Sequence, residues 1–258
     1  MHRLPTSHKG DNGKVAIIGG SKFQHGAPIM SALAAEASGV DLVYLALPNI
    51  HQQVARHASL NFQVHPFNDD DLREEDIEPL LELLATIDCA VIGPGLARDE
   101  KTLKVLRGLI DASSCALVLD ATALQPWTTT ILKGKNAVLT PHLGELERMG
   151  IDLDDLAQAA KESGAVIHLK GPTDRIASPD GSIKEVSGGN AGLTVGGTGD
   201  ALAGLIAGLI AQHMEAAEAC AMASTIIKRA GTVLAEKRRF AYTTKQVIDM
   251  IPHLLSTL

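Results

Sequence analysis

The chain has 258 residues, enough for one sizeable hydrophobic core, with the 45% hydrophobic and 21% charged content of an ordinary globular enzyme. A net charge of −7 without a basic stripe argues against nucleic acid as a partner, and Lys237-Arg238-Arg239 reads as a solvated helix end. Met1 to Pro5 hold no apolar leader core, no stretch is long and apolar enough for a membrane span, and the three cysteines form no CxxC pair, so a cytoplasmic location is expected.

Short apolar runs alternate with helical periodicity along most of the chain. A strand-like run at 15–18 ends on Gly19-Gly20-Ser21, and Gly26-Ala27-Pro28 opens a helix over 28–38, with proline where no backbone N–H is needed. A second strand is predicted at 42–47 and a helix over 76–85. The strand at 89–92 ends on Gly93-Pro94-Gly95, and a helix over 102–111 follows it. The run at 116–119 ends on Asp120, that at 137–139 on Thr140-Pro141-His142-Leu143-Gly144-Glu145, and that at 166–169 on Lys170-Gly171. The rhythm then changes: Ile176-Ala177-Ser178 and Ser182-Ile183-Lys184, split by Pro179-Asp180-Gly181, predict a hairpin. Three helices, at about 198–212, 215–236 and 244–256, follow.

This alternation predicts an α/β fold over a single domain, 1–258, with a central, mainly parallel sheet flanked by helices on both faces. Ligands of such sheets collect beyond the carboxyl ends of the strands. Five glycine-rich or polar clusters fall at those places and together outline one cleft.

The most informative segment is Gly196-Gly197-Thr198-Gly199-Asp200, which runs into a small, apolar helix. Its glycines leave backbone N–H groups unshielded, and the helix adds its positive dipole end, a combination that holds phosphate oxygens. Asp200 is chemically odd there because it faces an anion. It is either a helix-capping carboxylate or a base that takes a proton from a hydroxyl about to be phosphorylated. No Gly-Lys-Ser/Thr follows, so this is not a Walker loop.

His8-Lys9-Gly10-Asp11-Asn12-Gly13, Ile18-Gly19-Gly20-Ser21, Gly26-Ala27-Pro28 and Gly93-Pro94-Gly95-Leu96 lead a series of motifs. It continues through Leu119-Asp120-Ala121, Leu139-Thr140-Pro141-His142, Gly144-Glu145, Leu169-Lys170-Gly171 and the glycine loop ending on Asp200. Taken together the series resembles, nearly end to end, the ADP- or ATP-dependent NAD(P)H-hydrate dehydratase family, a branch of the ribokinase-like superfamily. The resemblance implies a nicotinamide-cofactor repair lyase. The hydroxyl of the S-epimer of hydrated NADH or NADPH is phosphorylated by ADP or ATP with Mg2+, and phosphate then leaves. NAD(P)H is the product, not a redox cofactor.

The same resemblance implies roles for individual residues. Asp200 would be the catalytic base and a substrate contact, and the amides of Gly197, Thr198 and Gly199 an anion hole. Ala27, Gly95, Ala97 and His142 would face the substrate; Lys170, Gly171, Pro172, Thr173, Asp174 and Gly199 would face the adenine nucleotide. Glu145 and Asn190 are secondary, Glu145 as a contributor to the phosphate and magnesium environment. Each has a plainer reading: a satisfied structural histidine, a lysine snorkelling at a strand end, a carboxylate at a helix start. Pro172 and Asp174 depart from the family's nucleotide loop, Ala97 replaces a glycine, and Thr122 stands where a second carboxylate is common. These departures imply tuning of the site and not its loss.

Two other functions compete. A small-molecule kinase of the same superfamily, acting on a hydroxymethyl group of a thiazole, pyrimidine or pyridine vitamin, would leave a stable phosphate ester. A non-catalytic nucleotide-binding module would turn nothing over. Many family members also carry an amino-terminal epimerase domain, of which these residues contain nothing; either the epimerase is a separate chain or this is a fragment. A homo-oligomer, specifically a tetramer, is expected because Val247, Ile248, Ile251, Leu254 and Leu255 offer more apolar surface than one helix needs.

Overall fold

Apolar runs without polar alternation become strands buried on both faces, and such strands pair in parallel beneath covering helices. In the computed structural model, which describes residue 3 and residues 5–257, β1 (Lys14–Ile18), β4 (Cys89–Ile92), β5 (Ala116–Leu119), β6 (Ala137–Leu139) and β7 (Val166–Leu169) are of this kind. Met1, His2 and Leu4, part of the segment read above for a leader, lie outside the described residues. With β2 (Leu42–Pro48), β3 (Phe62–Phe67), β8 (Thr173–Ala177) and β9 (Ile183–Ser187), they form, among the described residues, one nine-stranded sheet. Its order is β3-β2-β1-β4-β5-β6-β7-β8-β9. The first seven strands in sequence pair in parallel, and β8 and β9 add antiparallel.

Successive side chains of β1 divide between two cores. Val15 and Ile17 join residues of α1 (Gly26–Ala37), α7 (Thr198–Ala211), α8 (Ala216–Arg238) and α9 (Thr244–Leu255). Ala16 and Ile18 join residues of α3 (Ile77–Leu84), α4 (Glu100–Ala112), α5 (Leu143–Arg148) and α6 (Leu156–Ser163). The helix α7 is apolar all round, and every residue from Ala201 to Ala211 is buried, as a helix in the middle of a core must be. It meets α1 backbone to backbone. A Cβ on Gly204 would stand 2.0 Å from Ser31 O, and one on Gly208 2.1 Å from Ser38 Oγ. That close approach lets Ser31 Oγ donate to the carbonyl of Asp200 at 2.9 Å and anchors the start of α7.

The expected α/β architecture and the six expected parallel strands are present. The hairpin is longer than expected: β8 begins at Thr173, so Thr173 and Asp174 belong to a strand and not to a loop. β3 and the helix α2 (Gln52–Ala58) were not expected. Pro66 disqualifies β3 as a central strand, but at the sheet edge proline does no harm, and β3 pairs only with β2. The helices α5 and α6 were not expected either.

One expectation is corrected. Val247, Ile248, Ile251 and Leu254 are buried within this chain, and Leu255 is partly buried against the same core. The apolar stripe of α9 is therefore intramolecular and gives no argument for a homo-oligomer. Cys89 and Cys220 are buried and Cys115 is partly so; all three are free, and burial pushes the Cys115 thiol up to about 11. No described helix is long and apolar enough to cross a membrane.

Candidate active site

The carboxyl ends of β5, β6 and β7 point at the amino end of α7, so residues distant in sequence meet there. Gly197 takes φ +96°, a conformation open to glycine, and turns the chain into α7. Ala201 N–H already bonds Gly197 O, whereas the amides of Gly197, Gly199 and Asp200 meet no acceptor among the described residues. Thr198 N–H is directed to Val195 O at 3.4 Å. Of the amides expected to form an anion hole, those of Gly197 and Gly199 are free and that of Thr198 is committed, while the Asp200 amide is a further free donor. The Thr198 hydroxyl donates to Val195 O, and Thr244 Oγ1 to Gly196 O at 2.8 Å, which fixes the loop from below.

Lys170 extends β7 and pairs with His142 in a single parallel bridge. Its ammonium donates to Asp120 Oδ1 at 2.7 Å and lies 3.7 Å from Glu145 Oε2. A Cβ on Gly199 would be 3.3 Å from Lys170 Nζ, so the lysine stands beside the amide cradle. Burial alone would lower its pKa, but Asp120, Glu145 and Asp200 outweigh that and raise it, so the cation is permanent. Asp120 is buried and also accepts from Thr140 Oγ1 at 2.8 Å. The turn that delivers it is strained: Ala121 has φ +52°, and Arg148 holds its carbonyl at 3.1 Å.

Asp200 is the carboxylate left over. It lies in the first turn of α7, half-buried, and its side chain has no hydrogen-bond partner among the described residues. Burial, then the charge of Asp120, pushes its pKa up to about 7, against the lowering pull of Lys170; Glu145 adds to the rise. A carboxyl poised near neutrality beside free amides and a lysine suits proton removal from a hydroxyl that is being phosphorylated.

His142 caps α5. Its Nδ1 accepts the Glu145 N–H at 3.2 Å while Glu145 Oε2 accepts the His142 N–H at 2.9 Å, a reciprocal box. An accepting Nδ1 leaves the hydrogen on Nε2, so the exposed imidazole faces the cleft as a donor, as a substrate contact needs. Glu145 itself is buried, with Oε2 spent on that cap and Arg148 and His142 Nε2 near Oε1 at 3.8 and 3.6 Å. The plainer reading of Glu145, a capping carboxylate, therefore accounts for its position. Among the described residues no cluster of three His, Cys, Asp or Glu side chains is arranged to hold a metal ion.

A cleft of about 780 Å³ runs from His142 and Lys170 past the amide cradle to Leu193, Val195, Leu202 and Ile227. Gly171 and Pro172 line it; the Thr173 hydroxyl meets Ser187 Oγ at 2.9 Å. Asp174, expected at the nucleotide, turns its carboxylate inward to Gly171 N–H, Ser224 and His168. Asn190 caps the turn at 191–194 through Gly192 N–H and accepts from Tyr242 OH at 2.8 Å, so it shapes the wall through contacts already made.

Ala27, Gly95 and Ala97 do not line this cleft. A Cβ on Gly95, whose φ is +70°, would be 3.2 Å from Ala27 Cβ, so these two abut where α1 starts, about one turn before the Asp200 anchor at Ser31. Thr122 is buried and donates to Leu96 O at 2.8 Å, tying the 93–97 loop to β5. An ionised carboxylate could not make that bond. Sequence reasoning missed Lys228 and Ser224, whose partners lie 57 and 50 residues away with no local pattern to mark them, and quoted Thr140 within a motif without giving it its role toward Asp120, 20 residues away.

Comparison with known proteins follows the same outline. The chain matches the model of the NAD(P)H-hydrate dehydratase family over residues 15–253. It is 37% identical to an ADP-dependent (S)-NAD(P)H-hydrate dehydratase of Nitrosopumilus maritimus, over 99% of this chain and 92% of that one. It is 36% identical to a bifunctional NAD(P)H-hydrate repair enzyme of Methanopyrus kandleri, over 98% of this chain but 51% of the relative, so it spans about half of that longer protein. A crystal structure of an ADP/ATP-dependent NAD(P)H-hydrate dehydratase from Bacillus subtilis, co-crystallised with ATP and Mg2+, superposes with a TM-score of 0.81 at 26% identity. That match covers 99% of this chain and 93% of the other.

Proposed function

The chain belongs to the NAD(P)H-hydrate dehydratase family, and from that premise we propose that it returns the S-epimer of hydrated NADH or NADPH to the reduced cofactor, with an adenine nucleotide as phosphoryl donor. The observation that carries this reading is Asp200, an uncommitted carboxylate held near neutrality beside three free amides. The hydrate hydroxyl oxygen attacks the terminal phosphorus of the nucleotide, the bond from that phosphorus to the bridging oxygen breaks to release the nucleotide one phosphate shorter, and the hydroxyl proton passes to an Asp200 oxygen. The amides of Gly197, Gly199 and Asp200, with Lys170, hold the charge on the phosphoryl oxygens. The carbon–oxygen bond then breaks with phosphate as the leaving group. The neighbouring carbon gives up a proton, and the 5,6 double bond of the ring is restored. His142 Nε2–H orients the hydrate, while Gly171 and Pro172 border the nucleotide. Ala27, Gly95 and Ala97 give the hydrate a close backbone approach on the α1 side.

Magnesium would be carried on the nucleotide's own phosphate oxygens and water and would neutralise charge on the transferring group, with Glu145, whose Oε1 lies near Arg148 and His142, a secondary contributor to its surroundings. We take residues 1–258 as one dehydratase domain working in the cytoplasm, with epimerisation of the hydrate supplied by another chain or segment. A homo-oligomer, a tetramer included, would be built on exposed Phe23, Ile50, Leu60 or Phe240 and not on α9; light scattering that gives a monomer at all concentrations overturns it.

The deciding experiment incubates hydrated NADH or NADPH, ADP or ATP, magnesium and the protein. Recovery of the reduced-nicotinamide absorbance with matching phosphate release is expected. No recovery with either nucleotide would sink the assignment, and accumulation of a stable phosphate ester would identify a kinase instead.

A further inference from the structure

The turn between β7 and β8 is short of backbone donors. Asp174 Oδ1 consumes the Gly171 N–H at 2.8 Å, and Pro172 has none. Its carbonyls are left over as well, because the β7–β8 ladder begins only at Leu169 and Arg175. Lys228, in the middle of α8, supplies the missing partners. Its ammonium donates to Gly171 O at 2.9 Å and Pro172 O at 3.0 Å, and it lies 3.2 Å from Asp174 Oδ1. One turn earlier on α8, Ser224 Oγ donates to Asp174 Oδ2 at 2.6 Å, and His168 Nε2 faces the same oxygen at 3.1 Å. Lys228 and Asp174 are both buried, and the turn they grip is exposed along the cleft.

A buried ion pair is a poor source of stability, because apolar residues of similar volume often serve as well. What this pair does is local: every polar contact of the Lys228 ammonium ends on residues 171–174. Within the turn, Pro172 and Asp174 act in opposite senses. The proline removes a backbone donor, and the aspartate, with Lys228, restores by side chains the fixation that the backbone has lost.

We propose that Asp174 and Lys228 are positioning residues for the adenine nucleotide: they hold the turn at 171–172 in the shape on which the nucleotide rests, and so set its affinity without touching the transferring phosphoryl group. This rests on the cleft being the nucleotide site. The variants are Lys228→Met, Lys228→Arg and the double substitution Asp174→Asn with Lys228→Met, which leaves no unpaired charge buried. Thermal melts report folding, calorimetry the Kd of ADP, and steady-state kinetics the KM of nucleotide and hydrate.

In Lys228→Met and in the double variant the Kd and KM for nucleotide should rise about tenfold, with kcat at saturating nucleotide within about threefold and the hydrate KM unchanged. Lys228→Arg should recover part of the affinity. A folded double variant that binds ADP within about twofold of the parent overturns the proposal, as does a fall in kcat at constant nucleotide KM. If neither Lys228→Met nor the double variant folds, Ser224→Ala decides: a weaker ADP Kd supports the clamp, and an unchanged one overturns it. The parent protein separates the two readings. Nucleotide binding without hydrate turnover removes the dehydratase assignment and leaves the clamp testable by calorimetry; no binding of either ADP or ATP removes both.

Discussion

Replacing Asp200 with Asn should make the protein more stable and nearly inactive, and the stability gain should depend on pH in a defined direction. The carboxyl is raised from its ordinary 3.8 to about 7, first by burial and then by Asp120. That span corresponds to at most about 4 kcal/mol of penalty on the charged form. Asp200 is only half-buried, so water screens much of this and ~1–2 kcal/mol is the expected cost to folding. The folded protein keeps the proton between about pH 4 and pH 7, where the unfolded chain has already lost it. Stability from this group is therefore fully present below about pH 4 and is lost as pH rises through about 7. Asn cannot titrate and retains the geometry of the first helical turn. The two proteins should melt alike near pH 4, and the Asn variant should be ~1–2 kcal/mol more stable near pH 8 by denaturant or calorimetric unfolding. Activity should move the other way. The parent's kcat should climb as pH rises toward about 7 and then level off, and the Asn variant should lose ~10²–10⁴ in kcat at any pH on that plateau. A stability difference that is the same at both pH values, or near-native turnover in the variant, would refute the assignment of Asp200 as a buried, proton-accepting base.

His142→Ala should raise the KM for hydrate by about tenfold while kcat changes less, because the imidazole contributes one exposed donor and not the chemistry; equal losses in kcat and kcat/KM would count against this. The same change removes the α5 cap, so a stability loss of ~1 kcal/mol should accompany it in thermal melts. Gly204→Ala places a methyl 2.0 Å from Ser31 O and must push α1 off α7; a loss of about 3 kcal/mol is expected, with weaker activity through the displaced Asp200 anchor, and an unshifted Tm would show that the helices do not touch as described. Thr122→Asp should cost ~1–3 kcal/mol by denaturant unfolding because the Leu96 carbonyl loses its donor; a neutral outcome would mean that the 93–97 loop is held by other contacts.

Much of this protein was legible one segment at a time. The apolar runs of β1, β4, β5, β6 and β7 are strong signals because strands buried on both faces need no polar residues. Gly196-Gly197-Thr198-Gly199-Asp200 names its own helix start, since only local backbone freedom and dipole are involved. Tertiary structure decided whatever depends on what lies opposite. β3 became a strand because the sheet edge tolerates Pro66. The stripe of α9 turned inward because α8 and α1 were there to receive it. Asp120, Thr140 and Lys170 form one cluster because β5, β6 and β7 lie side by side, and burial together with the Asp120 charge raises the pKa of Asp200 on a helix far along the chain. The Asp174 carboxylate turned to Lys228 and Ser224 because α8 crosses behind the β7–β8 turn. Hydrogen bonds and charges act through a few ångströms of space, and separations of 20 to 57 residues close to those distances only once the sheet has set its strand order.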